Sequence, residues 1–237
     1  MGVIPARLDS TRLPGKALRL IAGKPMLHWV YQNARQSPLL TELVVATDSE
    51  EIYNSCARAS IPVTMTGKHP SGGDRLHEVM GRTDADIYVN IQGDEPTLRA
   101  DHLELLLQPF GGDTRAQVTT LKVAISAEAA RDPNNVKVVT DDAGRALYFS
   151  RHAIPYDRDG TGGARYFKHI GLYAYTRDAL ALFHRLPQST LELAERLEQL
   201  RLLENGVPIH VAETMHDTVG VDTEADLQRV IALFGGG

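Results

Sequence analysis

The strongest constraint on the fold is an alternation. Short apolar runs, GVIP (2–5), ELVVAT (42–47), IPVTM (61–65) and DIYVNIQ (86–92), are separated by segments with helical spacing. In PMLHWVYQNA (25–34), Met26, Trp29, Val30 and Asn33 fall on one face; SEEIYNSCAR (49–58) and DRLHEVMG (74–81) are two further helical segments. Strand and helix in turn, with the strands apolar throughout, read as βαβ units around a parallel sheet.

The pattern then changes. QVTTLKVAI (117–125), VKVVT (136–140), ALYFS (146–150) and KHIGLYAYT (168–176) are strand-like, with helices short or missing between them and a turn-rich DRDGTGGAR at 157–165. This predicts a hairpin or small mixed-sheet extension. STLELAERLEQLRLLENG (189–206) predicts one long amphipathic helix, with Ser189 and Glu192 at capping-box positions and Gly206 beyond its end. VPIHVAET (207–214) is a last strand, and TEADLQRVIALF (223–234) a terminal helix capped by Thr223. The predicted architecture is one α/β domain over residues 1–237, with a mainly parallel sheet and a β-rich insertion near 145–176.

Composition narrows the function. A hydrophobic fraction of 43% in 237 residues supplies an ordinary core. A formal net charge of −5 argues against a general nucleic-acid binder. No apolar run is long enough for a membrane span, and MGVIPAR does not open a signal peptide. The single cysteine, Cys56, excludes an intrachain disulfide. These features predict a cytoplasmic protein with no nucleic-acid partner and no membrane insertion.

In open α/β sheets, ligands lie beyond the carboxyl ends of the strands. Ala6-Arg7, Thr47-Asp48, HPSGGDR (69–75) and QGDEP (92–96) follow the first four predicted strands, so polar, glycine-rich or charged segments converge on one cleft. The first of these loops, PARLDSTRLPGKAL (5–18), crowds Arg7, Arg12 and Lys16 into an acidic chain. Its cations suit a small anion, phosphate above all. It is not a Walker A loop, because Ala17 follows Gly15-Lys16, and no G-x-G-x-x-G follows the strand. An Arg12 fork grips two phosphate oxygens and Lys16 acts as a point charge. Asp94 in QGDEP is a suitable Mg²⁺ ligand opposite that loop, and Asp222 in VGVDTEADL (219–227) is a second candidate, although Asp and Thr before a helix also serve as caps. No zinc site is expected: HEVMG (77–81) lacks the second histidine of H-E-x-x-H.

PARLDSTRLPGKAL, HPSGGDRLHEV, NIQGDEP, DPNNVKVV, ALYFSRHAIPYDRD, KHIGLYAYT, LEQLRLLENG and GVDTEADL occur in that order. Together they resemble the CMP-Kdo synthetase family, the 3-deoxy-manno-octulosonate (Kdo) cytidylyltransferases, over essentially the whole chain. The resemblance implies a Rossmann-like, three-layer, nucleotide-diphospho-sugar transferase-like α/β fold. It implies a homodimer formed through the β-rich insertion, and the reaction CTP plus Kdo to CMP-Kdo plus diphosphate, with Mg²⁺, for lipopolysaccharide biosynthesis. By the same resemblance, Ala6, Arg7, Arg12, Lys16, Ser71, Gly72 and Arg75 bind the nucleotide, and Asp94 and Asp222 bind the metal. Arg12, Lys16, Asp94 and Asp222 form the catalytic set. Gln92, Arg151, His169, Tyr173, Glu198 and Gln199 match the sugar site. The chain departs from the family's S-G-T-[DE]-R: it reads Ser71-Gly72-Gly73-Asp74-Arg75, which removes a hydroxyl.

Three alternatives compete. One is the same chemistry on another sugar acid, such as 8-amino-Kdo or a sialic-type acid. Another is a non-catalytic nucleotide-binding regulator, which would be expected to lose a metal carboxylate or the loop lysine; Lys16, Asp94 and Asp222 are all present. The third is a glycosyltransferase, which would show a D-x-D pair where this chain has Asp94-Glu95.

Overall fold

A computed structural model describes residues 1–10, 12–112 and 116–235. In chain order the elements are β1 (Gly2–Ala6), β2 (Leu20–Ile21), β3 (Lys24–Pro25), α1 (Met26–Ala34), β4 (Leu43–Thr47), α2 (Glu50–Arg58), β5 (Val63–Met65), α3 (Gly72–Met80), β6 (Ile87–Asn90) and α4 (Ala100–Leu107). There follow β7 (Val118–Ile125), β8 (Lys137–Thr140), β9 (Ala146–Ser150), β10 (Tyr166–Thr176), α5 (Arg177–Arg185), α6 (Thr190–Glu195), α7 (Leu200–Glu204), β11 (Ile209–Thr214) and α8 (Glu224–Gly235). They form two compact units: residues 1–104 with 218–237, and residues 105–217.

In the first unit, β6, β1, β4 and β5 pair in parallel in that order, with Val3 opposite Val44 and Ile4 opposite Val45. Val3, Ile4, Val45 and Val89 are wholly buried, which is why these strands read as continuous apolar runs. Capping side chains set the helix starts. Ser49 Oγ accepts the Ile52 amide at the head of α2, and Glu50 and Glu51 sit where the helix dipole favours acids. Ser71 Oγ accepts the Asp74 amide at 3.1 Å and starts α3. Thr223 Oγ1 does the same for Asp226 in α8, as predicted. Cys56 is buried on α2, and burial pushes its thiol up to about 11.

A cluster of Leu13, Ile21, Met26, Val221, Leu227 and Val230 underlies the cationic loop, with Trp29 edge-on to Phe234 at 4.7 Å. Leu13 is thus an anchor in the middle of the loop; burying such a side chain contributes roughly 1.5–3 kcal/mol. Gly15 adopts a left-handed conformation (φ 65°) and begins a short 3-10 turn over Lys16–Leu18. The loop that carries Arg12 and Lys16 is therefore fixed at both a core residue and a turn.

In the second unit, β7 pairs in parallel with β11 and antiparallel with β10, while β8 and β9 form an antiparallel hairpin that begins ahead of the 145–176 segment marked in the sequence. The register of β10 slips between Ile170 and Tyr173, and there Thr120 Oγ1 donates to the Leu172 carbonyl at 2.7 Å. Lys137 is completely buried; its Nζ donates to the Asp132 and Arg151 carbonyls at 2.9 and 2.7 Å, and burial lowers its pKa.

The single helix expected over 189–206 is broken. α6 ends at Arg196, whose backbone is left-handed (φ 55°), and the Leu197 amide donates back to the Glu192 carbonyl at 3.3 Å. The cause is a side-chain pair. Residues nine apart lie on opposite faces of a continuous helix. The break turns Arg201 back onto Glu192, with Nε–Oε2 at 2.8 Å and Nη2–Oε1 at 2.5 Å. Leu197 becomes buried in the same turn. Glu192 also accepts the Ser189 amide at 3.1 Å, and Gly206 follows α7 with φ 71°. α4 and α5 were not expected from the sequence.

Candidate active site

The carboxyl ends of β1, β5 and β6 border one cleft in the first unit. Its walls are built from three segments: Pro5–Arg7 with Lys16 and Ala17, His69–Gly72 with Arg75, and Gln92–Asp94. With the solvent at its mouth it offers about 690 Å³, within the range that holds a small-molecule ligand. Two glycines let the segments close on one another. A Cβ on Gly93 would lie 3.0 Å from the Pro5 carbonyl oxygen, and one on Gly72 would lie 3.2 Å from the Pro5 ring.

Lys16 is the electrostatic centre. Its Nζ donates to Asp94 Oδ2 at 2.5 Å, to Asp222 Oδ1 at 2.9 Å and to the Val221 carbonyl at 3.3 Å. Arg12 Nη2 meets the other Asp222 oxygen at 2.9 Å. The Val221 amide donates to the Asp94 carbonyl at 2.9 Å, which ties the two acid-bearing segments together. Burial works against the Lys16 charge, but Asp94 and then Asp222 outweigh it and raise its pKa, so Lys16 stays an ammonium. The four residues of the predicted catalytic set are joined in one network: Arg12 to Asp222, Asp222 to Lys16 and Lys16 to Asp94.

The other predicted nucleotide residues are placed as follows. Ala6, Arg7, Ser71 and Gly72 line the cleft. Ser71 doubles as the cap of α3 and donates to Asp74 Oδ2 at 2.9 Å. Gly73, where the family motif has Thr, is buried in the first turn of α3. Arg75 reaches the wall, but its guanidinium is turned beneath the loop: Nη2 donates to Asp48 Oδ1 at 3.0 Å, and Nη1 to Thr66 Oγ1 and the Gly67 carbonyl. Asp48 thus enters as a brace for Arg75. His69 is a wall residue that the sequence reading did not single out; its Nε2 lies against Glu78 Oε2. This contact, followed by the Gly67 amide, holds Glu78 below the usual carboxylate range.

Of the predicted sugar residues, Gln92 lines the cleft, while Arg151, His169, Tyr173, Glu198 and Gln199 belong to the second unit. There Arg151 is held by Glu195: the Arg151 amide donates to Oε2 at 2.9 Å and its Nε to the Glu195 carbonyl at 2.8 Å. Ser150 Oγ donates to the other Glu195 oxygen at 2.6 Å. His169 packs between Phe149 and Tyr173, with ring centroids at 5.0 and 5.3 Å. Burial, aided by Lys168, pushes its pKa down to about 3. It is therefore neutral, and its Nε2 shares a 3.0 Å hydrogen bond with Thr120 Oγ1. The Tyr173 hydroxyl and Gln199 Nε2 are buried without a hydrogen-bond partner among the described residues. Buried polar atoms of this kind call for a partner.

The sequence profile of the cytidylyltransferase family matches residues 1–213. A 3-deoxy-manno-octulosonate cytidylyltransferase from Koribacter versatilis is 55% identical over 231 residues, covering 97% of this chain and 88% of the relative. The enzyme of the same name from Acidobacterium capsulatum is 56% identical over 235 residues, covering 99% and 96%. The chain belongs to the 3-deoxy-manno-octulosonate cytidylyltransferase family. A solved CMP:2-keto-3-deoxy-manno-octonic acid synthetase, complexed with CTP, superposes with a TM-score of 0.95 at 48% identity, over 99% of this chain and 97% of that one. The Rossmann-like α/β fold expected from the sequence is thereby established. A cytidylyltransferase from Leptospira borgpetersenii, 16% identical with a TM-score of 0.65 over 99% of this chain and 85% of its own, shares the fold alone. For this member of the Kdo cytidylyltransferases, the cleft of the first unit and the polar residues around Arg151 and His169 are the places where sequence motif and geometry coincide. Among the described residues no helix is long and apolar enough to cross a membrane.

Proposed function

We propose that this protein transfers the cytidylyl group of CTP to Kdo, giving CMP-Kdo and diphosphate, as a cytoplasmic homodimer that uses Mg²⁺ and supplies lipopolysaccharide biosynthesis. The observation that carries the reading is the ion-pair network of two cations, Arg12 and Lys16, with two carboxylates, Asp94 and Asp222, of which Lys16 and Asp94 line a nucleotide-sized cleft. Kdo attacks the α-phosphorus through its 2-hydroxyl oxygen. One P–O bond forms, the bond to the β-phosphate oxygen breaks, and the hydroxyl proton leaves to solvent. Negative charge grows on the departing diphosphate. Arg12 and Lys16, held by a core-anchored loop, stabilise that charge more than they stabilise bound CTP. Ala6, Arg7 and the Ser71–Gly72 turn hold the nucleoside end, with Arg75 bracing the turn from below.

The donor set fits magnesium. Asp94 and Asp222 already converge on one cation, the Lys16 ammonium, and Mg²⁺ takes one or two carboxylates together with phosphate oxygens and water. When bound there it would neutralise triphosphate charge and polarise the reacting oxygens. In the second unit, Arg151, His169, Tyr173, Glu198 and Gln199 receive the sugar acid; Gln92, on the cleft wall of the first unit, carries a sugar-site role by the family resemblance. The unpartnered Tyr173 hydroxyl and Gln199 amide support this reading, since hydroxyls of a sugar would satisfy them. Exposed Leu147 and Tyr156 in the β-rich insertion support the homodimer.

Diphosphate release from CTP with Mg²⁺, measured with Kdo, 8-amino-Kdo and N-acetylneuraminate in turn, tests the reading. Release with Kdo, lost in Asp94→Asn, is the expected result. Release only with another acid moves the sugar assignment, and no release with any acid overturns the reaction.

A further inference from the structure

Lys16 occupies the position to which both acids point. An ammonium has three N–H bonds, and all three are used: on Asp94, on Asp222 and on the Val221 carbonyl. Arg12 takes the remaining Asp222 oxygen. Two positive groups therefore cancel two negative ones, and the acid pair presents no free charge to a metal. The acids are fixed relative to each other by the Val221–Asp94 backbone bond. The lysine, by contrast, sits on a flexible four-carbon stem and can change partners.

We propose that Lys16 is the resident cation of the Asp94–Asp222 pair in the nucleotide-free protein, and that the incoming triphosphate, by taking Lys16 and Arg12, opens the pair to a divalent metal. A metal arriving alone must displace an ammonium that gains no new partner. A triphosphate, a polyanion whose oxygens take charge-assisted hydrogen bonds from Arg and Lys, gives both cations a better one and leaves two carboxylates exposed beside it. Metal and nucleotide then raise each other's affinity, and by linkage the coupling is equal in both directions. The inference rests on the nucleotide and metal roles given above.

Mn²⁺ alone, titrated by electron paramagnetic resonance without nucleotide, tests it. Lys16→Met should bind Mn²⁺ on the order of tenfold more tightly than the wild type, within the usual span of such couplings, and adding Asp94→Asn should erase the gain. The thermal midpoint of Lys16→Met should fall in EDTA and recover with Mn²⁺, which the wild type will not match. Should loss of the Lys16 charge, which leaves only Arg12 beside Asp222, keep that variant from folding, Lys16→Gln, which retains donors but no charge, should show the same gain in weaker form. Equal Mn²⁺ affinity in folded wild-type and Lys16 variants overturns the proposal. If the wild type releases diphosphate from CTP and Kdo while the variants gain nothing, the cation exchange alone fails. If it releases none while the variants gain Mn²⁺, the exchange stands and the assigned reaction fails.

Discussion

Replacing Arg201 by Met would leave Glu192 as a buried carboxylate without its bidentate partner. Glu192 is 5% exposed, and its own pKa is lowered despite burial because Arg201 and the Ser189 amide favour the charged form. Removing one member of such a buried pair costs about 3–5 kcal/mol. For a chain of this length each kcal/mol shifts the midpoint by about 2–4 °C, so Arg201→Met should melt roughly 6–20 °C below the wild type. The damage should also be local. The last residue of α6 is Glu195, which holds Arg151 and Ser150 through three hydrogen bonds. At a temperature where the variant remains folded, KM for the sugar acid should therefore rise more than KM for CTP. The double variant Glu192→Leu/Arg201→Met removes both charges and should recover most of the lost stability, with Glu192→Leu as the second single. Urea unfolding of the two singles and the double gives the coupling directly. A single variant within about 1 kcal/mol of wild type, or a double equal to the sum of the singles, would refute the claim that this pair breaks the helix.

Two further outcomes follow from the geometry. Gly93→Ala places a methyl against the Pro5 carbonyl oxygen, 3.0 Å away, with the Ile4 and Leu27 side chains at 3.6 Å; it should cost about 1–3 kcal/mol and raise KM for CTP, and unchanged calorimetry and kinetics would contradict the close approach. His169 is neutral when folded, with a pKa near 3, and protonates near 6.5 when unfolded. The unfolded state then binds more protons, so stability is fully present above 6.5 and its His169 share falls by about 1.4 kcal/mol per pH unit below that. Urea unfolding between pH 7 and 5 should show this slope reduced in His169→Phe; an identical slope would place the titrating group elsewhere.

The parts of the fold that were legible are those governed by local periodicity. β1, β4 and β6 bury most of their residues, so those residues had to be apolar in runs, and the residues just past them had to be polar. That is why Lys16 and Asp94 could each be named from position and type, whereas Asp222, which also looks like a cap before α8, was singled out by the family resemblance. Their contact could not be read, because Asp94 lies 78 positions from Lys16 and Asp222 lies 206 away. The break after α6 was hidden for a similar reason. Arg196 is not a residue that favours left-handed backbone, and what imposes it is the tertiary pair of Glu192 with Arg201. The orientation of Arg75 was hidden as well: as an Arg on a loop facing phosphate it looked like a ligand, yet Asp48 at the end of β4 draws its fork inward. α5 escaped because it begins directly at the end of β10, where Thr176 serves both as last strand residue and as cap.

The burial of Cys56 has a practical side. It is the chain's only sulfur of its kind, and with its thiol held near 11 it is protonated and shielded at any ordinary pH. The native protein is in effect free of reactive sulfhydryls without any engineering. A cysteine placed at exposed Leu39, away from the β-rich insertion, would be the one handle for a maleimide dye or spin label, and distances between labels in an assembled pair could be read without first deleting a residue from the core. Uptake of a second label per chain would then mark the moment the first unit opens.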